Sequence, residues 1–165
     1  MRTHSLLMRY NAWANRVLFD AVAALPEGEA TKVRPSLCRN MVHTLNHNYI
    51  VGLLWQAHLT GREHGYTALN TPDHPPLAEL RRREEALAAW YIDYADSQSD
   101  AALRERVPFV LIGGNQGEMV REQIFFHVVN HSSYHRGYVA DMFFHVPVQA
   151  PIMDMTVFMR EARPE

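Results

Sequence analysis

Residues 118–145 read EMVREQIFFHVVNHSSYHRGYVADMFFH. Val120, Ile124, Val128, His131, His135, Tyr138 and Met142 recur there at intervals of three and four. That spacing predicts an amphipathic helix over about 118–145, stopping before Pro147. Its inward stripe is long and carries histidines among aliphatic residues, so it needs other helices of similar length to cover it.

Working outward, proline and glycine divide the remaining chain into segments that meet this need. Leu6, Leu7, Tyr10, Trp13, Ala14, Val17, Leu18, Ala21 and Leu25 predict a helix over about 3–25, ended by Pro26 and Gly28. A second is expected over about 36–60, after Pro35 with Ser36 as its cap and before Gly61. A polar, proline-rich loop, GREHGYTALNTPDHPP (61–76), separates it from a third helix over about 77–97. The third opens on the charged run ELRRREE (79–85), read as a solvated face, and offers Leu87, Trp90, Tyr91 and Tyr94 for burial. Val107 to Ile112 favours β structure and runs into GGNQG, which predicts a small hairpin before the last long helix. The final twenty residues suit a strap across the helices or a short extra helix. The fold class expected is all-α: a single four-helix-bundle domain over 1–165, with a hairpin excursion between the third and fourth helices.

Composition narrows the function. A formal net charge of −2 provides no electrostatic footprint for nucleic acid or an acidic membrane. Cys38 is the single cysteine, which excludes an internal disulfide and suits a reducing cytoplasm. The N-terminal MRTHSLLMRYNAWANR is broken by polar residues, unlike a signal peptide, and no apolar run reaches the length of a membrane span. No Ser-His-Asp order, phosphate-binding glycine loop or cysteine nucleophile is evident. Histidine is the outlier, with ten in all and five of them in two short stretches.

His127, His131 and His135 lie on one arc, the outer two displaced from His131 by about 40° each way. Residues four apart rise about 6 Å and can meet at one ion; His127 and His135, about 12 Å apart along the axis, cannot easily do so. At most two of the three therefore bind one metal. His131 belongs to either pair, and periodicity leaves His127 and His135 equivalent. The second helix repeats the pattern with His43 and His47, where His47 shares a face with Ile50, Leu54 and His58. Two histidines from one helix and one from a facing helix make a three-histidine site with an open position, the arrangement of catalytic zinc centres.

These residues resemble the DinB/YfiT-like superfamily of metalloenzymes. HVVNHSSYHRGYVADMF (127–143) looks like its N-H-x3-H-R-G signature on the last helix. RYNAWANRVLFDAVAAL (9–25) is similar to its first helix, and TLNHNYIVGLLW (44–55) to its second. The resemblance spans roughly 4–145 and implies His47, His131 and His135 as metal ligands. His43, His127, Asn46 and Asn130 then stand beside the ligands as supporting or packing residues. Some members carry an acidic residue a turn after the second-helix histidine; here Val51 and Gly52 occupy that region.

The implied cofactor is one divalent ion, zinc by default, with nickel, manganese or iron also suited to imidazole. The implied activity is that of an enzyme activating a low-molecular-weight thiol or water for a small-molecule substrate, in the manner of thiol S-transferases. Metal-dependent hydrolysis and a non-enzymatic metal-binding bundle are the alternatives, and the resemblance implies a homodimer. Tyr138 shares the metal-facing stripe and can donate a proton. Arg136 could bind an anionic substrate near the site, but it points about 140° away from His131, which better suits an inter-helix or surface salt bridge. His4, His64, His74 and His145 are expected to have no specific role.

Overall fold

The structure, a computed structural model, describes residues 1–162. The chain is mostly helical with one two-stranded antiparallel sheet. Four long helices dominate: α1 (Thr3–Ala23), α2 (Met41–Leu59), α3 (Leu77–Ser97) and α5 (Arg121–Met142). Between the last two lie the single turn α4 (Asp100–Leu103) and the hairpin β1 (Arg106–Val110) and β2 (Gln116–Val120). A 3₁₀ turn, Phe143–His145, and the short helix α6 (Met155–Glu161) follow α5. α1 and α2 each pack against both α3 and α5.

Three boundaries differ from the sequence expectation. α2 begins at Met41 rather than near residue 36, because Asn40, not Ser36, is its cap: the Asn40 side chain accepts the His43 N–H at 2.7 Å. Residues 28–40 instead form turns held by buried Arg34, whose guanidinium donates to the Glu29 and Lys32 carbonyls and the Glu29 carboxylate. α5 begins at Arg121, since 118–120 extend in β2, and the last turn tightens to 3₁₀ from Phe143. α4 was not foreseen; Ser99 caps it by accepting the Ala102 N–H.

The hairpin falls where GGNQG placed it. Arg106 pairs with Val120 and Val110 with Gln116, and the turn needs the positive φ values of Gly113 and Gly114. In the tail, α6 packs on α1 through Phe158 against Trp13 and Tyr10, so the short extra helix is the form it takes up to residue 162. Residues 163–165 of that tail lie outside the described residues. Among the described residues no helix is long and apolar enough to cross a membrane.

The core is divided, and the division positions the site. One apolar cluster contains Met8, Val51, Trp55, Leu87, Ile124, Phe125, Val128 and Val129. A second contains Leu18, Phe19, Leu45, Leu80, Val139 and Phe143, and a small third joins Trp13 and Ala14 to Phe158 on the outer side of α1. On every long helix a polar gap separates the first two: Asn11 and Asn15 on α1, His47 and Asn48 on α2, Glu84 on α3, and His131 to Arg136 on α5. Burial of the aliphatic clusters above and below encloses this layer. Its polar atoms must then be satisfied within the protein or by a ligand.

Candidate metal centre

His47 enters the layer from α2, and His131 and His135 from α5. One ring nitrogen of each lies within 4.8 Å of the others, so these three can hold a metal ion. Ring centroids are 4.3 Å apart for His47 and His135, 4.5 Å for His131 and His135, and 5.1 Å for His47 and His131. The Nε2 atoms of His47 and His135 are 3.1 Å apart. Two nitrogens bound to one zinc at about 2.0–2.1 Å in tetrahedral geometry would be roughly 3.3 Å apart, so the observed spacing fits.

The partner of the outer His47 nitrogen supports the same fit. His47 Nδ1 lies 2.7 Å from the Leu69 carbonyl and donates to it, which leaves the Nε2 lone pair facing the cluster. His131 Nε2 and His135 Nδ1 are buried without a hydrogen-bond partner among the described residues. Burial first, and then the neighbouring histidines, hold the His131 imidazole down to about 3 and that of His135 to about 4. Burial likewise lowers His47, against the opposing effect of the Leu69 carbonyl. All three rings are therefore neutral near pH 7, the state in which imidazole binds metal.

The other sequence candidates have different surroundings. His127 is not in the cluster; it packs on Trp55 with centroids 4.7 Å apart, and burial lowers its pKa. His43 Nε2 bonds the Thr71 carbonyl at 2.9 Å. Asn46 donates to Asn70 Oδ1 and Thr71 Oγ1, both at 2.6 Å, rather than to an imidazole. Asn70 in turn donates to the His43 carbonyl at 3.0 Å. His43, Asn46 and Asn70 thus clamp residues 69–71 onto α2 and fix the carbonyl that orients His47. Asn130 is exposed and apart from the cluster. Tyr138 places its ring 5.7 Å from His135, with its hydroxyl engaged to Tyr134 at 2.6 Å.

Several residues need correction. Arg136 forms no salt bridge among the described residues: α1 covers that face of α5, and the buried guanidinium donates to Asn11 and Asn15 Oδ1 and to Ser132 and Ser133 Oγ. Within ELRRREE, Glu84 is not on the solvated face. It is half-buried, with its carboxyl turned inward to accept Asn15 Nδ2 at 2.7 Å, and burial raises it to about 7. It lines a cavity of about 20 Å³ together with His131, Asn48 and Gly52. Gly52 faces α3 rather than the cluster, because a Cβ there would meet Leu87 at 2.8 Å. His4 is buried, stacked on Phe125, with Nδ1 3.7 Å from Glu122. His64 bonds the Val110 carbonyl and the Tyr66 N–H. Glu84 and the loop half of the clamp, residues 69–71, were not expected; the signal for Glu84 was a polar residue at a core-facing phase between Leu80 and Leu87, and the irregular loop offers none.

A mostly helical protein with three inward histidines from two helices, able to hold one ion, is the class defined by this geometry. The chain belongs to the DinB family, which its sequence matches over residues 1–165. Among its relatives, Protein DinB of Bacillus subtilis (strain 168) is 25% identical over 144 residues, covering 82% of this chain and 81% of the relative.

Proposed function

We propose that this protein is a divalent-metal-dependent enzyme whose four long helices form a four-helix bundle around a His47, His131 and His135 centre, and that it activates a low-molecular-weight thiol for transfer. The observation that carries this reading is the set of three neutral imidazoles in one layer with a nitrogen of each within 4.8 Å of the others, His131 Nε2 being buried without a partner among the described residues. A divalent ion held there would lower the pKa of a thiol or water at its open position. The chain's own part is to present the three nitrogens, hold the His47 tautomer through the Leu69 carbonyl, and keep bulk water out with the apolar clusters on either side. Tyr138 beside His135 can exchange a proton with Tyr134 at the exposed rim. Activation of water for hydrolysis uses the same centre.

Elemental analysis of untagged protein is expected to find about one zinc, nickel, manganese or iron ion per chain. Titrating the cobalt-substituted protein with glutathione, mycothiol or bacillithiol then tests the thiol. A sulfur-to-metal charge-transfer band supports transfer chemistry; absence of that band with all three, alongside turnover of an ester without thiol, replaces it with hydrolysis.

A further inference from the structure

A second cavity, of about 350 Å³, opens beside the histidine cluster and is lined by Val51, Leu54 and Trp55 of α2, by His127 and His131 of α5, and by Leu69. Its remaining wall is the hairpin with its turn, through Phe109, Leu111, Ile112 and Met119. None of these lining side chains is a lysine, arginine, aspartate or glutamate. The volume lies within the roughly 300–1,000 Å³ of small-molecule pockets. The pocket and the cluster share His131, and Leu69 lines the pocket while its carbonyl orients His47. The cation that could have neutralised an anionic substrate, Arg136, is committed on the opposite side to Asn11 and Asn15.

From these observations we infer that the molecule meeting the activated thiol or water is uncharged and predominantly apolar, seated between Trp55, His127 and the hairpin with its reactive end at His131. This rests on the metal reading only for the statement that the pocket feeds a reaction centre; its preference for neutral ligands follows from its own lining. In the metal-free pocket a carboxylate would lose its hydration and gain no lysine or arginine partner from the lining. The side chains that set the preference are those of the hairpin, because Ile112 is half-buried at the mouth while Leu54 and Trp55 form the buried floor.

Calorimetric titration with two probes of one ring system, indole and indole-3-acetate, tests the inference on metal-free full-length protein, and zinc uptake is measured on a zinc-treated portion of the same sample. Indole is expected to bind, and the carboxylate to bind about tenfold more weakly or worse. Ile112→Lys, on the half-exposed hairpin, is expected to weaken indole by about tenfold and to narrow or reverse the preference, with the helical circular dichroism unchanged. Equal or tighter binding of indole-3-acetate to the unmodified protein would overturn the inference. So would undetectable indole binding, or an Ile112→Lys protein that binds indole as before. Zinc content measured on the same samples separates the two readings. Zinc bound without the indole preference overturns the pocket alone; the preference without bound zinc upholds the pocket and overturns the metal centre.

Discussion

His47 Nε2 and His135 Nε2 lie 3.1 Å apart although 88 residues separate them in the chain. Both rings are buried, and the His47 Nδ1 proton is committed to the Leu69 carbonyl. His47 therefore turns its Nε2 lone pair toward His135 Nε2. The pair, with His131 as the third member, makes the centre depend on the packing of α2 against α5 rather than on either helix alone.

Replacing any one of His47, His131 and His135 with alanine is expected to lower metal affinity by about 100-fold or more, since a two-imidazole remnant lacks a ligand. His127→Ala is expected to retain the metal, because its ring packs on Trp55 outside the cluster. Elemental analysis after dialysis distinguishes the variants. Metal retained in all three, or lost with His127→Ala, would move the centre elsewhere.

Asn46→Ala removes two of the four bonds that hold Asn70 and Thr71 on α2. The Leu69 carbonyl is then held less firmly against His47. Loss of such an orienting partner is expected to weaken metal binding by about 10–100-fold while the stoichiometry at saturating metal stays at one. A competitive chelator titration reads the change; an unaltered affinity would show that the loop does not orient His47.

The Glu84 carboxyl, raised to about 7 by burial, binds more protons in the folded state than in the unfolded state, where it titrates near 4.5. Its contribution to stability is therefore most favourable below pH 4.5 and declines as pH rises through 7. Glu84→Gln keeps an acceptor for Asn15 and removes this penalty. The variant is expected to be more stable by on the order of 2 kcal/mol at pH 8 and little changed at pH 5. Urea unfolding at the two pH values measures it, and an equal effect at both would place the carboxyl in solvent.

Arg136→Leu leaves the Asn11 and Asn15 carbonyl oxygens without their shared donor in a buried layer. The expected loss is about 2–4 kcal/mol in stability. Metal content is expected to persist, because Arg136 faces α1 and not the cluster. Loss of metal without loss of stability would make it a partner of the site instead.

Proton competition at the centre is expected to be weak. With His131 near 3 and His135 near 4, burial already keeps these rings deprotonated above pH 5. Cobalt uptake at pH 5.5 is therefore expected to remain within about tenfold of that at pH 7.5. Sites of unperturbed histidines, which protonate near 6.5, would lose much more over that interval.

The four long helices and the hairpin were legible in residues such as Val120, Ile124 and Val128, or Gly113 and Gly114, because amphipathic phase and turn chemistry are local properties. Sequence spacing likewise set a two-of-three limit on the α5 histidines. Residue phase about a single axis has no information on the axial offset of a neighbouring helix. Packing of α2 against α5 brought His135 to His47 and left His127 against Trp55. Packing of α1 against α3 turned Glu84 out of a charged surface run and into a polar layer shared with Asn15, and packing of α1 against α5 brought Asn11 and Asn15 to Arg136. The loop 61–76 showed only that prolines exclude regular structure there; its docking depends on Asn46 and His43 reaching Asn70 and Thr71. The sequence by itself determined helices bearing histidines on their inward faces. The tertiary structure decided which of them share one point, because that depends on how two apolar clusters stack and leave a polar gap at the same height on all four helices.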